Sequence, residues 1–369
     1  MRIKVHKQDI VKSSQLTSSV ITPKDTLPIL SNILLDTSLK EGFLSLIATD
    51  LDVGISTQVP AEILEDGAIT VSGKKFFDIL KELPEEGVEI SVKKNNVVSI
   101  TCGQSYFKII GIPKDEFPKL PTIDTKKSII LPQHSLKKIL EKTVFAASRD
   151  ETRYILNGIY INTQDGYMKF VATDGRRLVV VKEEVKNAND VNLNKGVVVP
   201  TKAAHQLYKA LAVEGDAQIL FGDNQIMFNL GSTTIVSRLI KGEYPNYEQA
   251  IPKEVKEKLK INKEQFLFAV KRASLLTTQD SQAIKLDVFK NKLVVSKSTA
   301  NIGETKEEVL AQYNGVELAI GFNPDYLIDA LKNIEDEQVS IELAGPEKPG
   351  VIRVNNDNYI YVVLPMQGA

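Results

Sequence analysis

The sequence predicts an α+β protein in which one folding unit occurs three times. Ala48-Thr49-Asp50 follows an alternating apolar run, and Ala172-Thr173-Asp174 follows a similar run 124 residues later. After a further 124 residues, Ser298 comes shortly after the apolar pair Val294-Val295. Recurrence at a fixed spacing is typical of chains built from copies of one unit. The 369 residues accommodate three units of about 120 residues, a usual domain size.

Each unit is predicted to begin with a helix, at residues 7–20, 135–149 and 263–276. In the second window the apolar residues recur at helical spacing and share one face, comprising Leu136, Ile139, Leu140 and Val144. Alternating runs that indicate antiparallel strands follow in every unit. These runs are 32–39 with 43–56, 158–162 with 167–181, and 283–288 with 292–298.

A short strand then leads into the second helix of each unit, at 69–71 before 76–80, 197–199 before 203–211, and 318–320 before 326–331. In the third copy, Asn323 and Pro324 are typical of a helix N-cap and first helical position. Two further strands close each unit. Phe117-Pro118 and Tyr244-Pro245 predict linkers, because proline interrupts strands. The predicted domains are therefore residues 1–125, 126–251 and 252–369.

Composition excludes several classes of function. The net charge of −1 and the isoelectric point near 6.4 give no sign of a simple DNA-coating protein, which is usually strongly basic. Cys102 is the single cysteine, so no intrachain disulfide forms, and three separated histidines do not predict a zinc site. No apolar run approaches the roughly 20 residues of a membrane span. We expect a reduced, soluble, cytoplasmic protein without a metal or cofactor.

Candidate catalytic residues are few, and no nucleophile–base pair can be nominated. Asp50 and Asp52 stand two apart on a predicted strand, so they could face one side and share a metal; a solvated strand end is the alternative. Asp174-Gly175-Arg176-Arg177 predicts a tight turn that presents basic and apolar side chains to a partner. A hydrolase or transferase with Asp50, Asp52 or Asp174 as acids remains the alternative to a non-catalytic binding protein.

Charge is divided unevenly between the helices and the rest of the chain. The six predicted helices, taken as 7–20, 74–82, 135–149, 201–210, 263–276 and 324–333, together carry +8, so the remainder carries −9. Lysine is also a good helix former, which is an alternative explanation. If the helices share one surface, that surface attracts phosphates without reading bases.

Several motifs in order resemble one family along the whole chain. They are Thr26-Leu27-Pro28-Ile29-Leu30-Ser31-Asn32, Arg153-Tyr154-Ile155-Leu156-Asn157-Gly158, the run from Ala172 to Leu178, Gly242-Glu243-Tyr244-Pro245-Asn246-Tyr247, and Tyr361-Val362-Val363-Leu364-Pro365-Met366. Together they resemble the bacterial sliding clamps, the beta subunits of DNA polymerase III.

The resemblance implies three clamp-type domains, each with two helices packed on antiparallel sheets. It further implies a head-to-tail homodimer that closes a ring around duplex DNA, with helices lining the hole. Such a ring is not an enzyme: it confers processivity by tethering the replicative polymerase. Its other partners are the clamp loader and replication and repair proteins that carry short hydrophobic motifs. A peptide-binding scaffold that never touches DNA is the remaining alternative.

The resemblance also implies a groove for partner peptides between the second and third domains. Its residues are Leu156, Thr173, Gly175, Arg176, Arg177, Leu178, Pro245, Gln249, Ala250, Val362, Val363, Leu364, Pro365, Met366 and Gln367. At the rim this chain departs from the best-known pattern, because Arg176 replaces a histidine and Gln249 and Gln367 replace arginines. We therefore expect the apolar floor to match the family and the rim preference to differ.

The DNA-facing positions of the family fall on Lys24, Lys74, Asp150, Tyr154 and Ile155. Lysine replaces arginine at the first two, which keeps a cation but loses bidentate contact. Asp150 is a carboxylate where an amide is usual. The subunit contact implied by the resemblance places Phe107 of one copy against Leu275 and Leu276 of the other.

Overall fold

The computed structural model describes residues 1–21, 27–84, 87–123, 128–185, 191, 193, 195–253, 257–354 and 357–367. These residues form 24 strands and six α-helices in three copies of one order. Each copy runs strand, helix, four strands, helix, three strands. The predicted α+β fold with a threefold repeat is thereby confirmed.

The six helices lie close to their predicted positions. They are α1 (Lys7–Ser18), α2 (Gly73–Glu82), α3 (Gln133–Thr143), α4 (Thr201–Ala210), α5 (Lys263–Ser274) and α6 (Pro324–Lys332). The prediction of a helix over 135–149 is wrong at its end, where a 3₁₀ turn at Val144–Ala146 replaces the α-helix. The Thr143 hydroxyl donates back to the carbonyl of Ile139 at 2.8 Å, a bond that competes with regular helix geometry.

Eight strands belong to each repeat. The first has β1 (Arg2–His6), β2 (Asn32–Asp36), β3 (Phe43–Thr49), β4 (Val53–Glu65), β5 (Ala68–Ser72), β6 (Gly87–Val92), β7 (Val97–Cys102) and β8 (Ser105–Ile110). The second has β9 (Ser128–Pro132), β10 (Gly158–Gln164), β11 (Tyr167–Thr173), β12 (Arg177–Glu184), β13 (Val197–Pro200), β14 (Asp216–Phe221), β15 (Gln225–Asn229) and β16 (Thr233–Arg238). The third has β17 (Glu257–Asn262), β18 (Ile284–Phe289), β19 (Lys292–Thr299), β20 (Gly303–Gln312), β21 (Leu318–Phe322), β22 (Gln338–Leu343), β23 (Gly350–Val354) and β24 (Tyr359–Val363).

Two features of the strands were not predicted. A short strand precedes the first helix of every repeat, and three strands rather than two close each repeat. The long runs 43–56 and 167–181 are each two strands separated by a turn. Asp50 and Asp52 therefore lie in a turn and not on one strand, which makes that prediction wrong.

The turn after β3 is fixed by the Asp50 carboxylate. Its Oδ1 accepts the backbone N–H groups of Asp52 at 3.0 Å and Val53 at 2.8 Å, which reverses the chain into β4. Asp174 acts in the same way after β11, because its Oδ1 accepts the N–H groups of Arg176 and Arg177 at 2.9 and 3.0 Å. The predicted turn at Asp174 is thus present, and both turns follow from aspartate bonding its own backbone.

The described residues divide into two compact units, one formed by residues 1–137 with 202–239 and the other by 138–201 with 240–369. Each unit contains one 12-stranded sheet. In the first repeat the seven pairs are β2–β3, β2–β5, β3–β4, β1–β4, β1–β6, β6–β7 and β7–β8, all antiparallel. The third repeat forms the same seven pairs between its corresponding strands.

The same kind of strand pair joins each repeat to the next. In the first sheet β4 pairs with β16, and in the second sheet β12 pairs with β24. Strands β4, β12 and β20 are each the fourth strand of a repeat, while β8, β16 and β24 are each the eighth. The fourth strand of one repeat therefore pairs with the eighth strand of the next.

The core of the first repeat lies between its strands and its helices α1 and α2. Ile3, Leu46, Phe76, Leu80 and Ile90 belong to one buried cluster, in which alternate residues of the strands face inward. None of the described helices combines the length with the apolar composition needed to cross a membrane.

The buried Asp50 carboxylate yields a stability prediction. Burial alone raises the pKa of Asp50, but hydrogen bonds from Lys202 and from the N–H groups of Val53 and Asp52 hold that pKa below its usual value. The ionised carboxylate therefore stabilises the fold above about pH 4, and this contribution is lost as the pH falls through the lowered folded-state pKa. Asp50→Ala should destabilise the protein by about 2–3 kcal/mol at pH 7 because charged hydrogen bonds are lost.

Urea unfolding followed by circular dichroism at pH 7 and at stepwise lower pH measures this effect. Asp52→Ala is the matched control, since Asp52 pairs with Arg238 at 3.6 Å with both side chains 62% exposed, an arrangement that contributes little. Equal midpoints for the Asp50→Ala protein and the control, or a difference that does not shrink on acidification, would contradict the prediction.

Candidate functional site

The floor of the candidate groove lies where β12 pairs with β24. Leu178 stands opposite Val362 in this ladder, and both are buried. They share one buried cluster with Leu156, Val180 and Tyr244. Three of the predicted groove residues, Leu156, Leu178 and Val362, are thus brought together as an apolar surface.

Tyrosine packing holds this surface in place from the linker side. The ring of Tyr244 stacks on Tyr160 with centroids 4.7 Å apart and an interplanar angle of 12°. Burial raises the pKa of Tyr244 above its ordinary value, so the side chain stays neutral. Tyr247 packs against the same cluster and lies 6.1 Å from Tyr160, ring to ring. The linker is therefore attached to the sheet by aromatic side chains.

One rim of the groove is the turn between β11 and β12. The Thr173 hydroxyl donates to the carbonyl of Arg177 at 2.6 Å and accepts the N–H of Gly175 at 3.0 Å. Gly175 has φ +86°, a conformation that favours glycine, and a Cβ there would lie 2.8 Å from Nη1 of Arg153. Arg176 is exposed beyond this turn.

The chain end forms a second part of the rim. The backbone N–H of Leu364 donates to the carbonyl of Arg176 at 2.9 Å, and that of Met366 donates to Gly321 at 2.8 Å. Leu364 is 43% exposed, Pro365 and Met366 are half-buried, and Gln367 is exposed. Backbone bonds thus fix the tail while apolar side chains remain accessible.

The remaining rim residues lie on the linker, where Pro245 is followed by the 3₁₀ turn Tyr247–Ala250, called here the linker turn. Pro245, Gln249 and Ala250 are all exposed. Of the fifteen predicted groove positions, fourteen lie on β11, on β12, in the turn between them, on β24, in the chain end that follows it, or on this linker. Leu156 reaches the cluster from the 3₁₀ segment Glu151–Leu156.

Arg177 and Val363 do not belong to the apolar floor. They stand opposite each other in the β12–β24 ladder, one residue away from Leu178 and Val362, so their side chains point to the other face of the sheet. The guanidinium of Arg177 donates to Asp174 Oδ2 at 3.1 Å, Asp329 Oδ2 at 2.7 Å and the carbonyl of Phe145 at 2.6 Å.

Aromatic rings complete the surroundings of Arg177. Its guanidinium carbon lies 4.6 Å from the ring centroid of Tyr326 and 5.3 Å from that of Phe145. Because the planar guanidinium is fully used by these groups, Arg177 positions the β11–β12 turn against α6 rather than offering a free cation at the rim. Asp329 and Tyr326 were not predicted, because no local pattern links residues so far apart in the chain; Asp329 lies 152 positions from Arg177.

The DNA-facing positions have different environments. Lys24 lies outside the described residues. Lys74 is exposed in the first turn of α2, Tyr154 is 59% exposed, and Ile155 is half-buried. Lys74 therefore presents an accessible cation.

Asp150 is occupied by local bonds. Its Oδ1 accepts the Thr152 N–H at 3.0 Å and the Thr152 hydroxyl at 2.6 Å, and its Oδ2 accepts Nε of Arg153 at 3.0 Å. These bonds, that of the Thr152 hydroxyl first, lower the pKa of Asp150. Arg153 also donates to the carbonyl of Asp174 at 2.9 Å, so Asp150 and Arg153 together support the turn that carries Gly175.

The three residues of the predicted subunit contact are accessible to different extents. Phe107 is 39% exposed on β8, Leu275 is 79% exposed just after α5, and Leu276 is half-buried. Across the part of the chain that the structure describes, no group of three histidine, cysteine or acidic side chains is arranged to hold a metal ion.

Comparison with known proteins matches the whole chain to one family. Models of the DNA polymerase III beta subunit match in order, the N-terminal domain at residues 1–121, the central domain at 130–246 and the C-terminal domain at 248–367. The beta sliding clamp of Chlamydia pneumoniae is 31% identical over 367 residues, covering 100% of this chain and 99% of that protein.

Solved structures give the same result. The DNA polymerase sliding clamp of Bacillus subtilis is similar with a TM-score of 0.93 and 30% identity over 100% of both chains. The sliding clamp of Bartonella birtlesii, solved bound to griselimycin, has a TM-score of 0.93 and 33% identity, again over 100% of both chains.

Proposed function

Because this chain belongs to the DNA polymerase III beta subunit family, we propose that it acts as a DNA sliding clamp. Two copies close head to tail into a ring around duplex DNA. The ring tethers the replicative polymerase and other replication and repair proteins, and a clamp loader opens it. It makes and breaks no covalent bond, so its function is topological. Its three domains span residues 1–125, 126–251 and 252–369.

The observation that carries this proposal is the rule of strand pairing between repeats. The fourth strand of the first repeat pairs with the eighth of the second, and the fourth strand of the second pairs with the eighth of the third. The same rule assigns β20, the fourth strand of the third repeat, to a β8 in another copy. In a dimer each β20 then pairs with the β8 of the other copy, and the ring closes after six repeats.

The unpaired edges have the chemistry that such pairing needs. β8 is the terminal strand of its sheet. In the described chain, residues 303–310 of β20 pair only with β19, because β17 pairs with Ala311 and Gln312. Ile110 on β8 and Leu310 on β20 are 83% and 80% exposed. A second copy would cover these apolar side chains together with Phe107, which we place against Leu275 and Leu276 of that copy.

DNA contact is proposed to come from helical lysines such as Lys74, with Lys24, Asp150, Tyr154 and Ile155 at the other family positions. Cations that neutralise phosphates without reading bases hold the duplex weakly, and this contact weakens with salt. A ring that slides needs contacts of this kind. The alternative of a hydrolase with Asp50, Asp52 and Asp174 has little support, because Asp50 and Asp174 use their carboxylates to form turns.

The groove is proposed to bind short peptides with apolar anchors. Leu156, Leu178 and Val362 supply the floor, whereas the β11–β12 turn, the linker turn and the chain end supply the rim. A largely preformed apolar slot with few polar groups suits a short hydrophobic motif. Met366 suits varied partners, because its thioether side chain adapts to different shapes.

The dimer proposal predicts the effect of charge at the subunit contact. Leu275→Asp with Leu276→Asp should convert the dimer to a monomer at micromolar concentration, because each interface would bury unpaired carboxylates. Sedimentation velocity measures this change. Val213→Asp is the matched control, since Val213 and Leu275 are both 79% exposed and Val213 lies outside the proposed contact. A wild-type monomer, or a dimeric double variant, would be incompatible with the proposed ring.

Topology gives the direct test of the clamp function. Wild-type protein loaded onto nicked circular DNA by a clamp loader should remain bound through gel filtration at moderate salt and should be lost when the DNA is linearised. The Leu275→Asp, Leu276→Asp variant should not be retained on either form. Equal loss from circular and linear DNA would favour a peptide-binding scaffold, whereas turnover of a nucleotide substrate would favour the hydrolase alternative.

The chain end provides a test of the groove. Leu364→Ala with Met366→Ala keeps the backbone bonds to Arg176 and Gly321 but removes two apolar side chains. Each buried side chain of this size contributes on the order of 1.5–3 kcal/mol, so affinity for a hydrophobic clamp-binding peptide should fall more than about tenfold. Calorimetry measures the affinity, with Leu39→Ala as a control at another exposed leucine. Unchanged affinity in a dimeric variant would show that the groove lies elsewhere.

A further inference from the structure

A cavity of about 790 Å³ lies on the second sheet beside the linker turn. Five cationic side chains line it, namely Lys169, Lys182, Lys253, Lys258 and Arg353. Three acidic side chains also line it, namely Glu248, Glu342 and Asp357. The lining of this lysine-rich cavity thus has two more positive than negative charges, although the whole chain carries −1.

The acidic side chains of the cavity already have partners. Glu342 is buried and accepts Arg353 at 2.9 Å and Lys258 at 3.0 Å. Asp357 lies 3.5 Å from Arg353, and Glu248 lies 3.5 Å from Lys169. These pairs neutralise the three acids.

Two cations remain for an incoming anion. In the described chain, neither Lys182 nor Lys253 has an acidic side chain within ion-pair distance. Lys253 is exposed and Lys182 is half-buried. Arg353 also donates to the carbonyl of Pro252 at 3.3 Å, which fixes the segment that carries Lys253 to the sheet.

The lysine-rich cavity adjoins the floor of the proposed groove along β12 and β24. Its apolar residues Val180 and Ile360 belong to the same buried cluster as Leu178 and Val362. Leu178, Val180 and Lys182 alternate on one face of β12, where two residues span about 6.6–6.8 Å. The distance from the groove floor to Lys182 is therefore about 13–14 Å, the length of about four extended residues.

The linker turn borders both places. Its residues Gln249 and Ala250 are rim positions of the proposed groove, while Tyr247 and Glu248 line the lysine-rich cavity. The linker turn therefore contributes residues both to the rim of the proposed groove and to the cavity. The positive charge of the cavity and its position beside the proposed groove both favour an acidic segment of a peptide bound in that groove.

We propose that the lysine-rich cavity binds an acidic stretch of a partner peptide whose apolar anchor occupies the groove. This inference rests on the peptide groove proposed above. Carboxylates about four residues from the anchor pair with Lys182 and Lys253. Partners that carry such a stretch bind more tightly than partners with the anchor alone, and the difference decreases with salt.

Three peptides with one common hydrophobic anchor test the proposal by calorimetry on the full-length protein. The first has neutral flanks, the second carries two glutamates four and five positions from the anchor, and the third carries them next to the anchor. Each acidic peptide is made in two versions, one with the glutamates on the N-terminal side of the anchor and one with them on the C-terminal side. One of the two versions of the second peptide should bind about three- to tenfold more tightly than the first peptide at low salt, because two partly exposed ion pairs contribute a gain of this size.

Lys182→Gln with Lys253→Gln should abolish this gain and bind the neutral peptide as the wild type does. Lys94→Gln with Lys290→Gln is the matched control, since both lysines are exposed on other hairpins, and it should keep the gain. A gain that persists in the Lys182, Lys253 variant, or one equally lost in the control, would overturn the proposal.

The peptide series separates this inference from the groove itself. If the neutral peptide binds and the acidic peptides bind no better, the cavity proposal is wrong and the groove stands. If no peptide binds the wild-type dimer, the groove proposal is wrong and this inference is wrong with it. An acidic peptide without an anchor that binds as tightly as the anchored one would identify an independent anion site and would overturn the proposal.

Discussion

Pairing of strand edges between repeats is the interaction on which the other features depend. An unpaired strand presents rows of N–H and C=O groups, which a folded protein must pair or protect. Here β16 pairs with the edge of β4, and β24 pairs with the edge of β12. Each pairing extends a sheet across a boundary between repeats, and in the described chain β8 and β20 are the eighth and fourth strands that lack such a partner. The head-to-tail contact between copies in the proposed ring follows the same rule.

The candidate groove depends on the same pairing. Leu178 and Val362 come from different repeats and become neighbours only because β12 and β24 form one ladder. The linker then covers part of this ladder through Tyr244 and Tyr247. A site made in this way is held by backbone hydrogen bonds beneath it and by aromatic packing beside it. Its geometry is therefore set by the fold of the chain alone.

The sequence could predict the repeat and the family, and both predictions are confirmed. The repeated tripeptide at Asp50 and Asp174 marks a turn in which aspartate bonds the backbone two and three residues ahead, and such a local device is visible in a sequence. In the third repeat Ser298 lies within β19, and the reversal uses Asn301 and Gly303, both with positive φ. The third repeat lacks the Ala-Thr-Asp tripeptide because its chain reversal uses a different turn.

Other features could not be predicted because they depend on distant residues. Strands β1, β9 and β17 contain five or six residues each, too few for alternation to separate them from the helices that follow. The ion pairs of Arg177 with Asp329 and of Asp50 with Lys202 each join residues 152 positions apart. The resemblance placed Arg177 in the groove, but its side chain points to the opposite face of the sheet.

In the proposed peptide groove, the affinity for a peptide can change through the rim residues while the floor residues stay the same. Arg176, Gln249 and Gln367 are the positions where this chain departs from the best-known family pattern, and all three are exposed. A change there alters the charge and hydrogen bonding met by a peptide without disturbing the buried cluster. Two of the three departures replace arginine by neutral glutamine, whereas Arg176 places a cation where a histidine is usual. Among the residues that the structure describes, Lys182 and Lys253 are two further cations without an acidic partner, about four extended residues from the floor. In the proposed complex, acidic residues of a partner would therefore be selected by Lys182 and Lys253 according to their distance from the anchor.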